Sequence, residues 1–286
     1  MVNQASVAKS AQTSLFQAKL GFIGYGSMAR MLIDRFLAAK VCSPSNLAVS
    51  TRTREKLAPL AAAHPCLIAA EDNRQTALLA THLFLCVKPL ELKGVLEGIR
   101  GAVRKETHII SIAACAGLDY LNRIAPAKYT RIIPSLASAT GHGMTLVCHG
   151  PGVSAEDAAL VEKWFGSLGQ VKCLAEKDFE AGSDLTSCAP GLIAAIFRQF
   201  AEAGVRYSEI SQSDAEQMVI ATLLGTAELL AQGKLGFEEL IARVATKGGI
   251  TEEGVRCLDA GLPAVFDEVF AATLGKHEMV KRILEG

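Results

Sequence analysis

The sequence has no Cys-x-x-Cys pair, no block of like charge and no uninterrupted apolar run near the ~20 residues of a membrane-spanning helix. Each absence removes a class of function. The eight cysteines, at 42, 66, 86, 115, 148, 173, 188 and 257, lack ligand spacing, and most sit in apolar runs such as "FLCV" and "SIAAC". They read as buried thiols, not as a zinc site or redox pair, and no metal is expected. Basic and acidic residues cancel at 29 each, which leaves no electrostatic footprint for nucleic acid or a membrane surface. The remaining partner class is a small molecule. Residues 1–18, "MVNQASVAKSAQTSLFQA", are polar and acid-poor and hold no apolar core of a secretory signal. A frayed segment and a cytoplasmic protein are expected.

What is present is a chain of 286 residues, half of them apolar, enough to bury a core in each of two modest domains. From residue 19 to about 174, short β-branched runs alternate with helical patterns: "KLGFIG", "NLAVS", "LFLCV", "HIISI", "TRII", "MTLVC" and "QVKCL". In "SMARMLIDRFLAA", Met28, Leu32 and Phe36 fall on one face. Such alternation argues an α/β fold, a doubly wound parallel sheet covered on both faces, over residues 1–174. Residues 175–286 carry only helical patterns. Ser213 with Glu216 makes a capping box before "QMVIATLLGTAELLA", which is apolar on more than one face. An all-α domain this apolar is expected to pack against a second copy of itself, giving a homodimer or higher homo-oligomer.

Gly24-Tyr25-Gly26-Ser27-Met28-Ala29 follows the first strand and opens the first helix. Gly24 supplies the tight turn, Gly26 lets backbone approach a pyrophosphate, and Ala29 allows close helix packing: a Rossmann-type dinucleotide turn. The plain alternative is a glycine turn with no ligand. Where an NAD enzyme would carry an acidic residue to bond the ribose 2'-hydroxyl, the chain reads Ser50-Thr51-Arg52-Thr53-Arg54. A hydroxyl and a guanidinium suit a 2'-phosphate, so NADP(H) is favoured, with NAD(H) possible. Solvated arginines at a helix start are the alternative. The strand ends Cys86-Val87-Lys88-Pro89 and Ala113-Ala114-Cys115 should border the nicotinamide.

Near the carboxyl terminus, "ATKGGITEEG" separates a helix over 237–246 from one starting at Glu252 and ending at Gly261. Thr251 is read as the N-cap. Gly248 and Gly249 would present bare amides, an anion site suited to a carboxylate, with the Thr251 hydroxyl beside it. A plain helix-helix turn is the alternative.

The order "GFIGYGSMA", "VSTRT", "FLCVKP", "SIAAC", Gly-x-Gly-Met-Thr and Gly-Gly-Ile-Thr resembles the pyrroline-5-carboxylate reductase family over nearly the whole chain. The resemblance implies a Rossmann domain followed by a helical dimerisation domain, and reduction of the cyclic imine carboxylate 1-pyrroline-5-carboxylate to proline. It implies that Gly248, Gly249 and Ile250 hold the substrate carboxylate and that Thr251 is the catalytic donor to the imine nitrogen. Asn73 matches a family position near the adenosine ribose. Thr186–Gly191, "TSCAPG", stands where the family has Ser-Gly-Ser-Gly-Pro-Ala, placing Ser187 and Cys188 at the substrate.

The departures cluster on the substrate side. Thr246-Lys247 replaces Ser-Pro, Ser135-Leu136-Ala137 replaces Asn-Thr-Pro, and Ala221 replaces a glutamine. A reductase-like protein that binds NADP(H) but uses another imine, or serves a non-catalytic role, is the second reading. A β-hydroxyacid dehydrogenase is the third, and it lacks its lysine in "GLIAAIFRQF".

Overall fold

A computed structural model describes residues 19–286, and the segment expected to fray, residues 1–18, lies outside it. Eight strands form one sheet: β1 (Leu20–Ile23), β2 (Leu47–Ser50), β3 (Ile68–Ala69), β4 (His82–Leu85), β5 (His108–Ser111), β6 (Lys128–Ile133), β7 (Gly143–His149) and β8 (Gly169–Cys173). The order is β3-β2-β1-β4-β5-β6-β7-β8. β3 had no readable pattern because it pairs with β2 through only two residues at the sheet edge.

The sheet is not wholly parallel, as had been expected. β1 to β6 pair in parallel, whereas β7 runs antiparallel to β6, with β8 parallel to β7. The physical reason is the β6–β7 link, residues 134–142, which contains only the 3-10 turn Leu136–Thr140. A parallel crossover needs about a dozen residues or more, usually with a helix.

Helices α1 (Ser27–Ala38), α2 (Ala58–Ala63), α3 (Asn73–Leu79), α4 (Leu92–Ile99), α5 (Leu118–Ile124), α6 (Ala155–Gly166) and α7 (Phe179–Ser183) complete the first part. On one face of the sheet Phe22 stacks on Phe84 with centroids 4.4 Å apart, and Phe36 of α1 meets Phe84 and Phe165 edge-on. On the other face Ile23, Leu83 and Leu85 pack with Leu92, Leu96 and Leu121. The alternation places apolar side chains on both sides of each central strand, so helices must cover both faces.

The chain divides into two compact units: one holds the described residues up to Cys188 together with Leu274–Gly286, the other Ala189–Thr273. The pattern change near residue 174 marks the last strand, but α7 and the π-helical turn Asp184–Cys188 remain with the sheet. Leu284 and Val280 return to it because they pack in its second core cluster.

The second unit contains α8 (Ala189–Arg206), α9 (Gln212–Ala231), α10 (Phe237–Val244) and most of α11 (Ile250–Glu285). Three expectations are corrected here. The cap of α9 is Ser211, whose Oγ accepts from the Asp214 amide at 3.1 Å, not Ser213 with Glu216. The apolar faces of α9 are exposed in the single chain, where Ala215 is its sole buried residue. α11 does not stop at Gly261: it continues through Pro263 to Glu285. Proline removes one intrahelical bond, and the carbonyl freed is that of exposed Asp259, which water can reach.

At the amino-terminal end of the sheet, register sets His82 beside His108, with ring centroids 5.5 Å apart, and His82 lies edge-on to Trp164. Burial lowers the His82 pKa to about 4 and that of His108 to about 3. Both are neutral at pH 7. An unfolded histidine titrates near 6.5, so below that pH the unfolded chain binds more protons. The stability linked to these groups is complete above about pH 6.5 and is lost as pH falls toward 4. We expect the unfolding free energy obtained from urea titration to drop across that window, by on the order of 3 kcal/mol from His82 alone, and the urea midpoint with it. A His82→Leu variant should flatten the drop; a wild-type midpoint constant over the window would contradict the assignment.

Candidate active site

The first glycine turn sits at the carboxyl ends of β1 and β4, where the strand order reverses. Gly24 has φ +96°, and a Cβ there would lie 2.3 Å from the Cys86 carbonyl oxygen. No other residue fits. Its amide donates to the Ser50 carbonyl at 2.9 Å, which draws the ends of β1, β2 and β4 together. Gly26 is the N-cap of α1 and has no side-chain cap, and a Cβ there would meet nothing within 4 Å. The first amides of α1 therefore face open space at the positive end of a helix, a fit for a pyrophosphate. Ser27 is exposed and Met28 half-buried. Tyr25 is different: its ring is buried, with the Arg30 guanidinium over it, so only its backbone serves the turn.

At the end of β2 the structure joins Ser50 and Asn73. Ser50 is buried and its hydroxyl donates to Asn73 Oδ1 at 2.8 Å. The Ser50 hydroxyl thus holds the Asn73 side-chain amide at the end of β2. Asn73 begins α3, held by Asp72, whose carboxylate caps the helix through the Gln75 amide. Arg52 is exposed and pairs with Glu91 at 3.1 Å. Arg54 is also exposed. The sequence pattern held no sign of Glu91, because it follows β4 and meets Arg52 only through strand order.

Beyond β4, Val87 packs its Cγ1 toward Gly24, exposed Lys88 precedes the turn Pro89–Glu91, and burial pushes the Cys86 thiol up, so it stays protonated. Beyond β5, the Ala113 amide is held by Ser111 Oγ at 3.3 Å and Ala114 follows. Cys115 then takes φ +67°, a left-handed conformation rare for a side chain of its size. Its sulfur lies 3.2 Å from His277 Nδ1, and His277 Nε2 lies 3.7 Å from Asp184. Burial, with Glu180 next, raises the Cys115 pKa, so the sulfur beside the imidazole is a thiol. These three line or adjoin a cavity of about 910 Å³ that also receives Arg131, bound to Glu176 and Glu180 at 2.9 and 3.0 Å. Nothing in sequence spacing links residues 115, 184 and 277.

The segment holding Ser187 and Cys188 is a π-helical turn, not a loop. Both are half-buried, and Cys188 reaches Ser183 Oγ at 4.0 Å with its pKa raised by burial. This gives Cys188 no thiolate character.

In the second unit, Gly248 has φ +76° and a Cβ on Gly249 would lie 2.8 Å from the Thr246 carbonyl, so both glycines are required. Their amides are not bare, contrary to expectation. Gly248 N–H donates to Glu252 Oε2 at 2.6 Å, and Gly249 N–H donates to the Thr246 carbonyl at 2.8 Å. Thr251 is not an N-cap either: α11 starts at Ile250, which puts Thr251 in the first turn, exposed. The amide that was expected to be open is held by an internal carboxylate, that of Glu252. Glu252 lies four residues after Gly248, a spacing that allows this contact once the turn is known.

Residues 176–279 match the profile described as pyrroline-5-carboxylate reductase dimerisation, and residues 19–115 match that of NADP oxidoreductase coenzyme F420-dependent. The chain is 36% identical over 263 residues to Bacillus subtilis (strain 168) pyrroline-5-carboxylate reductase 3, covering 92% of this chain and 96% of that protein. The chain belongs to the pyrroline-5-carboxylate reductase family. It is an NAD(P)H-dependent oxidoreductase. The chain is also 28% identical over 260 residues to ComE operon protein 4 of the same bacterium, covering 91% of this chain and 95% of that protein. A pyrroline-5-carboxylate reductase structure from Coxiella burnetii shares the fold with TM-score 0.83 at 24% identity, covering 92% of this chain and 98% of that one. No helix among the described residues is long and apolar enough to cross a membrane.

The glycine geometry sets a test that applies to this family member directly. Gly24→Ala meets both a left-handed φ and a 2.3 Å clash, and should weaken NADPH binding by roughly 100-fold or more in fluorescence titration. Arg52→Ala should weaken NADPH by about tenfold and leave NADH unchanged. Equal losses for both nucleotides would remove Arg52 from the 2'-phosphate.

Proposed function

We propose that the protein reduces 1-pyrroline-5-carboxylate to proline with NADPH, as a homodimer formed through its helical unit. One observation carries the substrate assignment: at the start of α11 a carboxylate already occupies the Gly248 amide, and exposed Thr251 lies in the first turn of that helix. The site accepts the two features of the substrate, an anion and a basic nitrogen. Relatives named for this reaction, among them the Bacillus subtilis protein, support the reading.

The first amides of α1 hold the pyrophosphate; Asn73, fixed by Ser50, and Arg52 hold the adenosine ribose and its 2'-phosphate. The Cys86–Pro89 and Ala113–Ala114 turns flank the nicotinamide. Bound NADPH supplies a hydride to the imine carbon. That transfer moves electron density onto nitrogen, and Thr251 donates a hydrogen bond there. A hydroxyl is too weak an acid to release a proton at neutral pH, so the protonated iminium or solvent supplies the proton. The substrate carboxylate takes the amides of Gly248, Ile250 and Thr251, displacing Glu252. Lys247 adds positive charge beside the substrate carboxylate.

Homodimerisation follows from unsatisfied surface. Among the described residues of the second unit just Ala201 and Ala215 are buried, while Phe200, Ile220, Leu224 and Phe237 are each more than 60% exposed. A second copy supplies the cover that a single chain lacks.

The second reading, a cofactor-binding protein that no longer turns over this imine, is favoured by the substrate-side departures, Thr246-Lys247 for Ser-Pro and Ser135-Leu136-Ala137 for Asn-Thr-Pro. Purified protein given NADPH and 1-pyrroline-5-carboxylate separates the two. Proline formed in step with NADPH loss supports the reductase; NADPH binding without proline supports the second reading. In the active enzyme, Thr251→Ala should lower kcat by about 10- to 100-fold with NADPH affinity unchanged. Glu252→Ala removes a competing carboxylate and a like charge, and should lower KM for the imine several-fold, to roughly a third or less. A KM that rises would mean that Glu252 holds the turn in its binding form.

A further inference from the structure

We propose that His82, His108 and Asp157 form a site for one divalent transition-metal ion, with Zn²⁺ as the type, at the amino-terminal end of the sheet. One ligand atom from each of the three lies within 4.8 Å of the others. His82 and His108 come from paired strands in direct register, and Asp157 from the first turn of α6. The cluster stands at the end of the strands opposite the cofactor turn and takes no part in hydride transfer.

Each imidazole is already arranged as a metal ligand is. His82 Nδ1 meets the Thr81 hydroxyl at 3.2 Å, and His108 Nε2 meets the Thr130 hydroxyl at 2.7 Å. The other nitrogens, His82 Nε2 and His108 Nδ1, are buried and have no hydrogen-bond partner among the described residues. Ligating histidines characteristically bind metal through one nitrogen and a neighbouring hydrogen-bond group through the other, which fixes the ring and its tautomer. Both side chains are more than nine-tenths buried, and leaving such nitrogens unmet is costly unless something takes their lone pairs.

Lys128 Nζ contacts Asp157 Oδ2 at 2.9 Å, and Ser154 also hydrogen-bonds the Asp157 side chain. Two imidazoles and a carboxylate suit Zn²⁺, and also Co²⁺ and Ni²⁺, with an open position left for water. The absence of cysteine at ligand spacing does not bear on a site made of nitrogen and oxygen.

A second group, His149, Glu162 and Cys173, lies close by through Thr130, whose hydroxyl also meets His149 Nδ1 at 2.8 Å. It serves as the control. His149 Nε2 is already paired with Glu162 at 3.2 Å, Cys173 is exposed, and burial and Glu162 raise its thiol pKa.

Lys128 gives a test that misfolding cannot imitate. The metal-stripped full-length protein is dialysed against Zn²⁺ alone and its metal content measured. One ion per chain is expected, with a rise in thermal midpoint. Asp157→Asn and His108→Gln should weaken binding by about 100-fold, His149→Gln should leave it unchanged, and Lys128→Met, which frees the carboxylate and removes a cation, should tighten it by about tenfold. Co²⁺ in place of Zn²⁺ should give a visible absorption band that Asp157→Asn abolishes. No retained ion, binding lost in His149→Gln but kept in Asp157→Asn, or weaker binding in Lys128→Met would each overturn the proposal.

Discussion

The cofactor end of this molecule depends on the backbone of Gly24 lying against the carbonyl of Cys86. The two strands that meet there, β1 and β4, are the pair across which the chain reverses its direction of travel through the sheet. Any side chain at Gly24 would push them apart, because a Cβ would come within 2.3 Å of that oxygen. With the strands closed, the Gly24 amide binds Ser50, Ser50 binds Asn73, and Gly26 opens a helix whose first amides are bare. A single left-handed glycine thus aligns three strand ends and one helix.

Much of this was legible in the sequence because it depends on short-range rules. The glycine turn, the strand ends and the seven longer strands each announce themselves within a few residues. What could not be read depends on partners far apart in the chain. Ser50 was seen as a cofactor contact, but its hydroxyl goes to Asn73; Arg52 was seen alone, but it meets Glu91. The antiparallel β7 follows from a short link whose length is visible only once β6 and β7 have bounds. Pro263 looked like the end of a helix because proline usually is one, yet a single lost bond facing water did not outweigh the neighbouring turns.

The substrate half shows the opposite balance. Its Gly-Gly-Ile-Thr motif is short and easy to find, but its state depends on Glu252, which lies within the next helix and satisfies the amide that the motif was expected to leave open. The unit around it buries almost nothing by itself, so its stability must come from association, and the same surface that drives pairing cannot be altered freely without losing the fold.

The single tryptophan has a use that its packing role conceals. Trp164 is buried at the centre of the core and lies 4.7 Å from the His82 ring, edge to face. An imidazolium is a far better quencher of indole emission than a neutral imidazole, and a paramagnetic ion close by quenches it more strongly still. The protein therefore carries one indole fluorophore, placed beside its most perturbed histidines, whose brightness follows their charge without any label.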